Sequence, residues 1–151
     1  MTNQTPMKKI IYIAFSLIFI YSCNLSKKRN SNKDLVPQLI IQENYLPAKD
    51  NTPFTILNAS IKKDFLTLTV QYGGGCKEHF FKIYSSGLFK KKSTPKLTLY
   101  LEHNFNEDFC KKLVVDTLVF NISKGRYESS DRIQKVEIEI DSYPTILEYI
   151  Y

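Results

Sequence analysis

Four residues of this 151-residue sequence have the types and spacing to do chemistry: Cys76 and His79, then His103 and Cys110. Two thiolates and two imidazoles suit a tetrahedral zinc ion. The same two cysteines also suit a disulfide, closing a loop of about 35 residues and worth about 4 kcal/mol in the chain-entropy model. Two features weigh against the metal. The six-residue gap in His103-x6-Cys110 exceeds the usual spacing of zinc ligands. In a regular strand Cys76 and His79 lie on opposite faces, so a bulge at the preceding glycines would be needed to bring them together. The histidines alone would need a carboxylate to complete a site, and Glu78, Glu102, Glu107 and Asp108 are the nearest. The segment from Asn104 to Asp108 carries oxygen ligands without the spacing or glycine of a calcium loop, and reads as a turn. His103 continues the parity of Leu97, Leu99 and Leu101, and His79 shares that of Phe81 and Ile83. Both are therefore expected at the ends of core-facing rows, hydrogen-bonded and unreactive.

Which chemistry the cysteines adopt depends on the compartment. From Met7 the chain reads as a secretory signal: a basic Lys8-Lys9, then eleven apolar residues from Ile10 to Ile20. That run fits a signal h-region and is short of the roughly 20 residues a spanning helix needs. The six residues before Met7 add nothing to such a signal, so Met7 is a possible true start. Ile20-Tyr21-Ser22-Cys23 then resembles the lipobox of bacterial lipoproteins. The resemblance implies cleavage before Cys23 and a diacylglycerol on its sulfur, with further acylation of the new amino group. Each buried methylene contributes about 0.8 kcal/mol, so several acyl chains make a durable tether. In an oxidising compartment outside the cytoplasm, an even pair of remaining cysteines is most simply a Cys76–Cys110 disulfide.

The elements that must position these residues are strands. Residues 23–38 form a polar, basic tether with no apolar periodicity, including Lys27, Lys28 and Arg29, which read as a solvated linker. Residues 39–151 read as one domain. Leu66, Leu68 and Val70 alternate with threonines; Leu97 to Leu101, Leu118 to Ile122 and Val136 to Ile140 alternate in the same way. Phe54–Ile61 and Phe65–Tyr72 flank a short hairpin loop, and Leu39–Gln42, Phe80–Tyr84 and Ile146–Ile150 add further strands. About seven or eight strands and no helical stripe predict an all-β fold, a small antiparallel sandwich or partly open barrel.

Gly73-Gly74-Gly75 lacks the Lys-Ser/Thr ending of a phosphate loop, and is expected to permit a tight path between strands. The pattern Tyr72-Gly-Gly-Gly-Cys76-x2-His79-x-Phe81, with Pro95, Leu97-x-Leu99-x-Leu101-x-His103, Cys110 and Phe120-Asn-Ile-Ser, resembles a group of uncharacterised bacterial lipoproteins. It spans about residues 70 to 123, implies a β-domain with a cysteine pair, and carries no activity with it.

Removing Lys8 and Lys9 from the 21 basic residues leaves 19 against 15 acidic ones, a net of +4. That is no nucleic-acid footprint. No nucleophile elbow, metalloprotease helix, dinucleotide fingerprint or Cys-x-x-Cys pair is present, so no catalytic residue and no cofactor is assigned. The expectation is a lipid-anchored, non-catalytic binding or structural domain in the cell envelope, by default on the periplasmic face of the outer membrane. It would be held to the membrane by Cys23, with an envelope protein or glycan as partner. Two alternatives stand beside it. One is a zinc-type protein using His79 and His103 with or without Cys76 and Cys110. The other is an inhibitor of a hydrolase that attacks the envelope, although a basic domain would be repelled by cationic lysozymes. The Lys90-Lys91-Lys92 run could dock an acidic partner, but a solvated turn is the simpler reading.

Overall fold

Alternation of apolar and polar residues gives an extended chain one face for a core and one for water, and on that plan the described residues fold into eight strands. The computed structural model describes residues 36–48, 51–91, 93–127 and 134–151, all within one unit, Leu35–Tyr151. The signal segment, Cys23, the tether up to residue 35 and Lys92 lie outside the described residues.

The strands are β1 (Ile40–Ile41), β2 (Phe54–Lys62), β3 (Phe65–Gly74), β4 (Phe80–Ser85), β5 (Lys96–Asn104), β6 (Lys112–Asn121), β7 (Lys135–Ile140) and β8 (Leu147–Ile150). They form two sheets, of order β1-β4-β5-β7-β8 and β2-β3-β6. The expected sandwich and its hairpin are both present. Lys62 pairs with Phe65 across a two-residue turn in which Lys63 takes a positive φ of 53°. Inward rows Leu66, Leu68 and Val70 of β3, Leu97, Leu99 and Leu101 of β5, and Val136, Ile138 and Ile140 of β7 are buried in a single core with Phe120 and Tyr149.

Two pairings are parallel, β1 with β4 and β5 with β7. For β5 and β7 the cause is the route of the chain: β6 between them belongs to the other sheet, so β7 returns in the direction of β5. β6 is also longer than its alternation suggested, starting at Lys112, because the apolar run Leu113-Val114-Val115 hides the period of two. Among the described residues no helix is long and apolar enough to cross a membrane.

Two polar clusters cap the ends of β3. Asp64 precedes its first residue; at its last, Gly74 lies opposite Lys112, near the start of β4, the end of β5 and the loop from Phe105 to Lys111.

Candidate functional site

The pairing of Phe81 with His103 across β4 and β5 sets His79 and His103 diagonally on one face, as their parity required. His79 Nδ1 lies 2.7 Å from His103 Nε2, and His79 Nε2 lies 3.3 Å from Asp108 Oδ2. At the far side His103 Nδ1 is 3.2 Å from the carbonyl of Thr52. Aromatic rings enclose the chain of contacts: Tyr72 stacks on His79 at 4.5 Å, Phe81 lies flat on His103 at 4.3 Å, and Phe54 meets His103 edge-on. The side chains of His79 and Asp108 are each only 1% exposed.

Asp108 is the hub. Its Oδ2 accepts the backbone N–H groups of Cys76 (2.7 Å) and Lys77 (2.8 Å), and its Oδ1 accepts that of Cys110 (3.0 Å). These donors, Lys77 foremost, hold the carboxyl well below the usual carboxylate range despite burial. Burial pushes His103 below the ordinary imidazole value, against the opposing pull of the Thr52 carbonyl, and the neighbouring His79 adds to the lowering.

A proton count follows from the geometry. With Asp108 ionised, three contacts (to Asp108, between the rings, and to Thr52) need three N–H groups on four ring nitrogens. Two neutral imidazoles supply two. His103 donates Nδ1–H to Thr52 and accepts at Nε2 from His79.

The disulfide joins Cys76 to Cys110, with Cα atoms 5.9 Å apart. Cys76, Asp108 and Cys110 lie close enough to hold a metal ion, but the sulfurs are consumed in the bond and the carboxylate takes three backbone N–H donors. His79 Nδ1 and His103 Nε2 face each other at 2.7 Å, so the imidazoles form a hydrogen bond and no chelate. The glycine run serves the same site. A Cβ on Gly74 would sit 2.4 Å from His79 Nε2, while one on Gly73 would meet nothing within 4 Å. Gly74 therefore makes room for the imidazole, and Gly75 has a positive φ of 96° that suits glycine.

Sequence reasoning placed both histidines and both cysteines here. It missed the role of Asp108, whose donors lie up to 32 residues away. The one local signal was the Asx turn to Cys110, two residues on. It also missed Asn51, which accepts the His103 N–H with Oδ1 and donates to the Leu101 carbonyl. Of the Lys90–Lys92 run, Lys90 is spent on Glu139, whose carboxyl Lys96 and Lys90 draw down to about 2.

Residues 39–146 match the NigD-like C-terminal beta sandwich domain. The chain belongs to that family. Among solved structures it is similar to a NigD-like immunity protein from Bacteroides caccae, with 19% identity and a TM-score of 0.52 over 76% of this chain and 58% of that one. A candidate toxin-related protein from Parabacteroides distasonis matches at 18% identity and a TM-score of 0.48, over 77% of this chain and 61% of that one. A candidate lipoprotein from Bacteroides fragilis matches at 12% identity and a TM-score of 0.46, over 77% and 67%. The chain thus spans less than two thirds of the first two of these proteins. No curated protein matches it.

What this NigD-like sandwich presents to solvent at the clamped end is aromatic. Phe105 and Phe109 meet edge-on at 5.6 Å, and Phe109 is 79% exposed. Phe80, 48% exposed, lines with Phe105 a cleft of about 440 Å³ whose walls include Asn51, Lys82, Glu102 and Asn104. Asn106 and Glu107 both take positive φ in the loop between the two phenylalanines. The disulfide and the Asp108 hydrogen bonds hold that strained loop in place. The arrangement holds Phe105 and Phe109 in place at one end of the sandwich.

Proposed function

We propose that this chain is a lipid-anchored envelope protein that works by binding another envelope protein through the end carrying Phe80, Phe105 and Phe109. One observation carries the reading: Phe109, exposed, and Phe105, half-buried, stand on a loop held by a disulfide, a buried carboxylate and an imidazole pair, beside exposed Phe80 of β4. Exposed large apolar groups cost solubility and gather where partners bind, and aromatic anchors dominate interface energies when held rigid beforehand. The membership in a β-sandwich family fits a binding role.

Anchoring rests on the signal-like segment and Cys23. It predicts that the full chain takes up labelled fatty acid in cells and that Cys23→Ser does not. For binding, the full chain in its own membranes should capture one envelope protein, and Phe109→Ser should reduce capture at least tenfold without changing the unfolding midpoint. Equal capture by the variant would reject the proposed face.

A second reading, an inhibitor that protects the envelope from an attacking protein, is favoured by the description of the Bacteroides caccae neighbour as an immunity protein. It uses the same face and differs in its readout. Cells lacking the chain would become sensitive to the attacker, and Phe109→Ser would fail to restore protection.

A further inference from the structure

We infer that β6 is also the seam of a homodimer, in which its open half pairs antiparallel with β6 of a second copy, centred on Val114. β6 is an outer strand of the three-stranded sheet. Among the described residues it pairs along Lys112–Phe120 with β3 alone. Its far end is closed: Asn121 accepts the Leu39 N–H and donates to the Pro37 carbonyl. Such an edge offers unpaired backbone N–H and C=O groups to another strand, and proteins ordinarily blunt it with proline, bulges or brevity. β6 has ten residues, no proline and an unbroken register, and it exposes Leu113 and Val115 at 71% and 57%.

The charges name the occupant and the register. Asp116 pairs with Val70 and Lys112 with Gly74 of β3, so both stand on the core-side row of β6. In a two-fold antiparallel seam, opposite residues lie equally far on either side of the centre and on the same face. Centred on Asp116, the seam would set that carboxylate against its own copy. Centred on Val115, it would leave both charges opposite apolar residues. Centred on Thr117 or beyond, it would collide with the end closed by Pro37–Leu39. Centred on Val114, it sets Lys112 opposite Asp116 twice, and exposed Leu113 opposite exposed Val115 twice. Opposite charges across a strand pair stabilise it and like charges oppose it. The strand is therefore complementary to itself in one register.

Cross-linking in the native membranes tests this with the full chain. Leu113→Cys with Val115→Cys should give a disulfide-linked dimer on a non-reducing gel, while Leu113→Cys with Val119→Cys, the register centred on Asp116, should stay monomeric. Lys112→Asp and Asp116→Lys should each weaken the dimer about tenfold, and the double exchange should restore it. Unfolding midpoints of the single variants equal to that of the unchanged chain keep a loss of dimer separate from a loss of fold. A monomer throughout, a cross-link in the shifted register, a double exchange that stays monomeric, or capture of a different protein by the β6 cysteines would each overturn the proposal.

Discussion

The two ends of β3 are both capped by a carboxylate, and they differ in what neutralises it. At the first end Arg126 grips Asp64 with its Nη2 at 2.7 and 2.8 Å from the two oxygens, and the buried Tyr149 hydroxyl donates to the same group. Tyr149 foremost, then Arg126, holds the Asp64 carboxyl below its ordinary value. Burial and Asp64 push the Tyr149 phenol up to about 12. Arginine cannot lose its charge in the working range, so this staple is permanent. At the other end Asp108 is held by backbone N–H groups and by the imidazole of His79, which in turn meets His103. The first end closes a two-residue hairpin turn. The second holds a longer loop whose Phe109 faces solvent. Elaborate restraint therefore sits where side chains are displayed, and simple restraint where the chain only turns.

The disulfide should account for the largest difference between the ends. Replacing Cys76 and Cys110 together by serine should cost about 4 kcal/mol of stability, read as a lower denaturant midpoint. Hydrogen exchange should rise in the loop from Phe105 to Lys111 and stay unchanged around Asp64. Equal loosening at both ends would break the comparison.

Gly74→Ala comes next. Its Cβ would strike the His79 ring, and the positive φ of 149° disfavours a side chain, so a loss of about 2 kcal/mol is expected by thermal or chemical unfolding. Gly73→Ala, with open space around it, should change stability by less than about 0.5 kcal/mol.

The pH dependence should separate the ends by window. His103 is lowered in the folded state, so the unfolded chain binds the proton more readily. Stability is therefore full above the ordinary histidine value and declines as pH falls below it. Asp64 and Asp108 are lowered carboxylates; their contribution is full above the ordinary aspartate value and is lost only as pH falls through the acid range. Unfolding midpoints measured from pH 7 to 5 should fall, and the fall should shrink in His103→Gln while persisting in Asp64→Asn. A wild-type midpoint that is flat over this window would contradict the assignment.

The fold was largely legible because half-buried strands write their period directly: Leu66, Leu68, Val70 and Leu97, Leu99, Leu101 all face the core as their parity requires. The same parity turned His103 inward. The disulfide followed from compartment and an even cysteine count. The parallel β5–β7 pair was hidden because period alone does not reveal which sheet a strand joins. Asp108 was hidden because a carboxylate that caps distant N–H groups looks, in sequence, like any acidic residue in a turn. Gly74 was legible as a tight spot, but the reason for it, the His79 ring, lies in the chain's return five residues later.

The claim that the clamped loop is a display surface is tested most directly by a photo-cross-linking phenylalanine analogue placed at Phe109 in the full chain, in its native membranes. Leu88, 70% exposed and in the turn after β4, serves as the control position. An adduct of one defined mass with an envelope protein from position 109, and none from position 88, is the expected result. No adduct from 109, or the same adduct from both positions, would contradict it.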